Sequence, residues 1–285
     1  MKCAKMLNSF LKLYQILQII AILILDINLY LNPQFLFAQQ ICVSEYKINK
    51  QIIAERVGEV MRAFYYDGVC IQNRRKTNMD SVLLKERSIS GTEVCLAAVC
   101  DGVGSLESGA VASSLAIQTL VDWLNQISTV EQIGFRLLET VYEINRRIVQ
   151  ESSENGIRTA STFSALLMAE GRYYTAHVGD SRIYCYSESR LQQLTEDQVI
   201  NGRLAGYLGR PEKLPVLYGE GEYAGKKFLL CSDGLYKKLD SENLSKYCAK
   251  VDKKNISRIL DKLVQAAVNN GEMDNISAAF VVCER

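Results

Sequence analysis

Proline is nearly missing from this sequence of 285 residues: there are three, and no Pro/Ser-rich run, low-complexity tract or internal repeat accompanies them. Nothing therefore divides residues 41–285, which read as one domain. Charge of one sign is missing too. The chain carries 33 Lys and Arg against 32 Asp and Glu, a formal net charge of +1, so no basic field draws it to nucleic acid. Nine cysteines occur, but never as Cys-x-x-Cys, which argues against a structural zinc site or a redox pair. Scattered singly, several of them within apolar runs, they read as reduced thiols packed like small hydrophobes. Histidine is limited to His177, on an apolar strand where a core or edge role is expected. What remains is ordinary globular composition, 48% hydrophobic and 23% charged, enough to bury a sizeable core.

Residues 1–40 differ from the rest. Lys2, Lys5 and Lys12 precede or open an apolar stretch, 13–31, which is broken by Gln15, Gln18, Asp26 and Asn28. A spanning helix wants about 20 predominantly apolar residues, and a signal peptide wants a shorter core with a small-residue cleavage site, of which Leu36-Phe37-Ala38 is a poor version. Three readings stay open: a membrane anchor acting through residues 10–31, an export signal, or an extension. The basic flank would send the remainder of the chain outward, which conflicts with unpaired cysteines. The domain is therefore expected in the cytoplasm, with tethering or export as the alternatives.

β-rich runs stand at 82–84, 94–99, 162–168, 172–178, 182–186, 227–231 and 276–283, and the short turns between several of them favour antiparallel pairing. Between 101 and 160 the period changes to helical, first at Ala112, Ala116, Leu120 and Leu124, then at Leu137, Val141, Ile144 and Ile148. A third stripe, Ile256, Ile259, Leu263 and Ala267, precedes the last strand. Strands in bulk with helices in pairs indicate an α+β layered domain.

The chemistry is expected at strand ends. The apolar run 96–100 leads into Asp101-Gly102-Val103-Gly104, so a buried strand delivers a carboxylate to its edge. Glycine there permits positive φ and close approach, letting the Gly102 carbonyl face the same ligand as Asp101. Asp-Gly is also a common hairpin signal, but the device recurs at Ser232-Asp233-Gly234-Leu235 after the run 228–231. Gly179-Asp180 separates two further strands, and Asp274 precedes the last one. If these turns converge, each carboxylate pair about 5 Å apart repels by roughly 3 kcal/mol at an effective dielectric near 20. Such a cluster needs cations, and an all-oxygen ligand set suits Mg²⁺ or Mn²⁺. Arg74-Arg75-Lys76 lies just before Asp80, where a guanidinium could meet phosphate and the carboxylate a metal.

The ordered set Arg75-x-x-Asn78-x-Asp80, Asp101-Gly102-x-Gly104, Gly179-Asp180-Ser181-Arg182-x-Tyr184, Ser232-Asp233-Gly234-Leu235 and Asp274-Asn275 resembles the metal-dependent protein phosphatases (PPM, type 2C), bacterial members above all. The resemblance covers about residues 60 to 283 and implies an αββα sandwich, two antiparallel sheets each flanked by a helix pair. It implies that Asp101 bridges two Mn²⁺ or Mg²⁺ ions, that the Gly102 carbonyl, Asp233 and Asp274 complete the first ion's shell, and that Asp180 serves a third, weaker site. Arg75 would bind the substrate phosphate, Asp80 would support the metals, and Asn275 would hold the last turn. A metal-bridging water would attack phosphoserine or phosphothreonine in a protein substrate, with a cognate kinase opposing it. Met79 stands where many members carry an acid, Val103 where animal members carry histidine, and the flap beginning at 194–197 is short. These departures keep a second reading in view, a silent domain of the same fold that binds a phosphoprotein. An aspartyl nucleophile is not indicated, because no Asp-x-Asp occurs.

Overall fold

Strands that stay apolar without alternation need cover on both faces, and the architecture supplies it. The computed structural model describes residues 63–104, 106 and 108–284; the division at 40/41 and the stretch 10–31 lie outside the described residues. The strands are β1 Phe64–Ile71, β2 Asp80–Ile89, β3 Thr92–Asp101, β4 Phe163–Ala169, β5 Arg172–Val178 and β6 Arg182–Ser187. They continue with β7 Arg190–Gln193, β8 Val199–Ile200, β9 Arg203–Leu204, β10 Leu217–Glu222, β11 Lys227–Cys231 and β12 Ile276–Cys283. The helices are α1 Gly109–Gln126, α2 Ile133–Asn155, α3 Asp233–Tyr236, α4 Ser241–Lys250 and α5 Ile256–Asn269.

One antiparallel sheet has the order β1-β12-β11-β6-β7, the other β10-β5-β4-β3-β2, and β8 and β9 form a separate hairpin. Because side chains alternate across a strand, β3 serves two cores at once. Cys95, Ala97 and Val99 face the gap between the sheets, with Phe228 and Leu230 of β11 and Ala279 and Val281 of β12. Leu96, Ala98 and Cys100 face outward under α1 and α2, against Leu120, Leu137 and Ile144. The outer face of the other sheet, Leu229, Cys231, Ala278 and Phe280, packs under α4 and α5 through Leu244, Ile259 and Leu263. This is the αββα sandwich expected from the resemblance.

Each expected strand and each helical stripe is present, and 172–178, 227–231 and 276–283 match their strands residue for residue. The run at 82–84 grows into the longer β2, whose pairing with apolar β3 carries the polar residues along. Unexpected elements include β1, β10 and α4. Strand β10, Leu-Tyr-Gly-Glu-Gly-Glu, has little strand propensity and sits at a sheet edge, held by its register on β5. Helix α4 buries only Leu244 and Cys248, and begins where the Asp240 side chain accepts the Asn243 N–H at 2.7 Å.

The described cysteines are all free and buried. His177 is buried, with Nδ1 2.9 Å from Ser164 Oγ and Nε2 3.1 Å from the Glu196 carbonyl, and burial pushes its pKa down. It is a core histidine. Among the described residues no helix is long and apolar enough to cross a membrane.

Pairing register decides where the aspartates go. Asp80 opens β2 directly opposite Asp101, which closes β3. Cys231, ending β11, pairs with Arg182 at the start of β6 and with Ala278 near the start of β12. The sequence therefore folds residues 80, 101, 180, 233 and 274 to one end of the sandwich.

Candidate active site

The backbone under the site is stitched by side chains. Asp101 N–H donates to Thr162 Oγ1 at 2.9 Å, and Thr162 N–H donates to the Asp101 carbonyl at 2.8 Å. Gly102 N–H donates to the Met79 carbonyl at 3.1 Å, so Met79, which brings no acid, contributes its main chain. A Cβ on Gly102 would lie 2.5 Å from the Gly109 backbone and 2.6 Å from Met79 O. Of the two properties glycine permits, Gly102 does not use positive φ; close approach, the other, is what requires glycine there. Gly179, with φ +113° and Thr162 against it, is the glycine that needs conformational freedom.

Asn275 does what the resemblance implies. Its Oδ1 accepts Met79 N–H at 2.9 Å, and its Nδ2 donates to Gln72 O at 2.9 Å and Thr77 O at 3.0 Å, tying the β1–β2 loop to the turn before β12. Asp233 is not on a plain turn but opens α3, immediately after Ser232, whose Oγ accepts Ser277 N–H at 3.0 Å. Asp180 sits in the β5–β6 turn, with its carbonyl accepting the Tyr236 hydroxyl at 2.9 Å. Arg182 pairs with Asp197 at 2.6 Å and lies 3.6 Å over the Tyr236 ring, so this arginine builds the wall.

The carboxylates share one electrostatic field. Part of Asp101 meets solvent, yet burial pushes its pKa well above the carboxylate range, followed by Asp80, Asp233, Asp180 and Asp274 in that order. All five sequence-indicated aspartates are thus brought together. Asp80 is buried, and neither of its oxygens has a hydrogen-bond partner, although the hydroxyls of Ser277 and Ser232 lie near enough to temper the shift. Burial first, with Asp233 adding repulsion, raises its pKa to about 7. Burial and then Asp233 raise Asp180 to about 6. At Asp274 burial pushes upward, but Arg75 outweighs it and the pKa falls: Nε and Nη2 each donate to a carboxylate oxygen at 2.7 Å. Asp233 is paired with Lys237 one helical turn on.

Among the described residues no three acidic, imidazole or thiol side chains already close on one point as a ligand set; Asp233 and Asp274 are instead turned onto Lys237 and Arg75. The residues nonetheless fit a divalent cation. Asp80 offers two orphaned buried oxygens, Asp101 is short of counter-charge, and every donor is oxygen. Lys237, Thr162 and Tyr236 were not singled out by sequence; only Lys237, four residues after Asp233, carried a readable signal.

One consequence is a pH dependence. Unfolded carboxyls titrate near 3.9, whereas Asp80 and Asp180 titrate at about 7 and about 6 in the fold. The folded state binds the extra protons, so their stabilisation is complete below pH of about 4 and lost as pH rises to about 7. Metal-free protein should melt progressively lower across that window, while the increase in Tm on adding Mn²⁺ grows. A metal-free Tm that rises between pH 5 and 7 would contradict these shifts.

Residues 75–267 match the family described as protein phosphatase 2C. The chain is 31% identical over 211 residues to the serine/threonine phosphatase stp of Listeria monocytogenes, covering 64% of this chain and 82% of that one. It is 28% identical over 233 residues to the protein phosphatase PhpP of Streptococcus pneumoniae, covering 74% and 94%. Its fold is similar to that of the serine/threonine phosphatase Stp1 of Staphylococcus aureus, with a TM-score of 0.71 at 21% identity, over 81% of this chain and 99% of that one. The Mycobacterium tuberculosis phosphatase PstP/Ppp aligns with a TM-score of 0.67 at 24% identity, over 78% and 99%. Family match, relatives and fold agree with the aspartates gathered at the strand ends, and the chain belongs to the protein phosphatase 2C family.

Proposed function

We propose that the chain hydrolyses phosphoserine and phosphothreonine in proteins, using two Mn²⁺ or Mg²⁺ ions held by the strand-end carboxylates. One observation carries the reading: Asp101 lies in the field of Asp80, Asp180, Asp233 and Asp274 together, an anionic cluster short of cations. Asp101, the Gly102 carbonyl, Asp233 and Asp274 would hold the ions, with Asp80 supporting them and Asp180 serving a weaker site. The ions, when bound, supply counter-charge and a water acidified enough to attack phosphorus at neutral pH.

The chain's own residues do the rest. Arg75 holds Asp274 through two parallel hydrogen bonds, the fork geometry that also suits a phosphoryl group. Released from Asp274, that fork would take two phosphoryl oxygens and orient the phosphorus. His177, engaged at both nitrogens, has no part in protonating the leaving oxygen, which falls to water or to another group. The domain is read as acting in the cytoplasm against a kinase that phosphorylates the same proteins. Support for this comes from the free, buried thiols and from relatives named serine/threonine phosphatases.

A silent phosphoprotein-binding domain is not favoured, since the carboxylates are retained and gathered. The test is release of phosphate from a phosphothreonine peptide by the full chain. Turnover is expected with Mn²⁺ or Mg²⁺, arrest with excess chelator, and recovery when metal is restored. An equal rate in chelator would contradict the metal reading.

A further inference from the structure

Arg75 and Asp274 answer each other across two turns, and the residues before them, Arg74 and Met273, meet as well. Arg74 Nη1 lies 3.6 Å from the Met273 sulfur, and both residues are exposed. A thioether is a weak acceptor and brings no charge. The acids on either side of Met273 are already engaged. Both oxygens of Asp274 accept from Arg75, and Glu272 Oε1 accepts the N–H groups of Met273 and Asp274 at 2.8 and 2.9 Å. Among the described residues no carboxylate pairs with Arg74.

The backbone fixes where this cation stands. Asn73 takes φ +50°, a left-handed conformation that asparagine tolerates, and its Nδ2 donates to the Glu272 and Asp274 carbonyls at 2.9 Å each. Gln72 Nε2 donates to the Arg75 carbonyl at 2.7 Å and the Lys76 carbonyl at 3.0 Å, and Asn275 holds Gln72 and Thr77 from the turn before β12. None of these bonds uses the Arg74 side chain. The loop is held without it, so Arg74 presents a guanidinium on a firm mount, one residue from the fork that suits phosphate.

That placement suits an anion brought by the substrate. A guanidinium donates in parallel to carboxylate or phosphate oxygens. Consecutive Cα atoms lie about 3.8 Å apart, so a group one or two residues from a phosphoresidue seated on Arg75 is within reach of Arg74. We infer that Arg74 selects phosphorylated segments that bear a second anion beside the phosphoresidue, an acidic side chain or another phosphate. The inference rests on the phosphatase reading above and names the class of sequence that its site favours. Unlike Arg75, Arg74 need not leave a carboxylate first.

The test compares kcat/KM, read as loss of the phosphothreonine phosphate, on the full chain with Mn²⁺ at low ionic strength. The substrates are a phosphothreonine peptide with neutral flanks and versions with Asp, phosphoserine or Lys on either side. The original chain should favour an anionic over a neutral flank by about fivefold, the upper range for an exposed ion pair, chiefly through KM. High salt should shrink the preference. The Asp and phosphoserine arms tell carboxylate from phosphate. Arg74→Gln should abolish the preference, and Arg74→Glu should transfer it to the Lys peptide, a reversal that a merely structural role would not produce. Circular dichroism checks that both variants are folded, and if Arg74→Glu were not, Arg74→Gln would still decide. Equal kcat/KM for all flanks in the original chain, or a preference that survives Arg74→Gln, would overturn the inference while leaving the phosphatase reading standing. No turnover of any peptide would overturn that reading, and the inference with it.

Discussion

Asp101→Asn is expected to abolish metal-dependent turnover and, at the same time, to make the metal-free protein melt at a higher temperature. The two effects have one cause. Asp101 ends an apolar strand, and burial together with four neighbouring aspartates opposes its charge. Amide for carboxylate removes that opposition with nearly the same shape, and Asn can still use its main chain to meet Thr162. A gain of about 1–2 kcal/mol is reasonable for relieving such a functional cost, or a few degrees of Tm for a domain of this size. The gain should be present at pH 7 and vanish below about pH 4, where the unfolded carboxyl is protonated as well. Activity should fall by more than the 10–100-fold typical of losing a residue that merely supports a metal ligand. Kinetics with Mn²⁺ and a melting curve in chelator read both halves. A loss of activity accompanied by a lower metal-free Tm would mean that Asp101 is chiefly structural.

Gly234→Ala should destabilise the protein and its site together. An alanine Cβ there would lie 2.0 Å from the Asn275 carbonyl oxygen and 3.1 Å from its carbon, so backbone, not a flexible side chain, is in the way. Either α3 or the turn before β12 must move. Asp233 rides on the first and Asp274 on the second, and Asn275 also clamps the loop that carries Arg75. Overpacking of this kind costs about 1–3 kcal/mol, occasionally more, and here it also separates carboxylates that must act on one ion. A lower Tm and weaker Mn²⁺ binding are expected. Gly104→Ala is the control: among the described residues no atom beyond its chain neighbours lies within 4 Å of its Cβ, and its φ is not positive. If Gly234→Ala behaved like Gly104→Ala, the contact between the two turns would not matter.

The two turns also illustrate how far the sequence reaches. Strands β3, β11 and β12 are legible because both of their faces are buried, leaving apolar runs, of which the first two lead into a carboxylate and the last follows one. Asp101 and Asp233 could be singled out on that basis. Asp180 and Asp274 look like ordinary turns in isolation and gain meaning only from motif order. Strand β10 was illegible because pairing with β5, not its own glycines and glutamates, makes it a strand. Of the two properties expected of Gly102, close approach is the one the fold uses, and nothing local announces that Gly109 and Met79 are the groups that press against it. Nor could composition show that Asp274 and Asp233 would be held by Arg75 and Lys237, because those ion pairs exist only once distant strand ends meet.

Crystals of the full chain grown with Mn²⁺, with diffraction recorded at the manganese absorption edge, test the central claim most directly. The account predicts anomalous peaks within bonding distance of the Asp101 carboxylate, with Asp233, Asp274 and the Gly102 carbonyl turned toward them and Arg75 released from Asp274. Crystals that hold no manganese near Asp101, at a concentration that supports phosphopeptide turnover in solution, would contradict it.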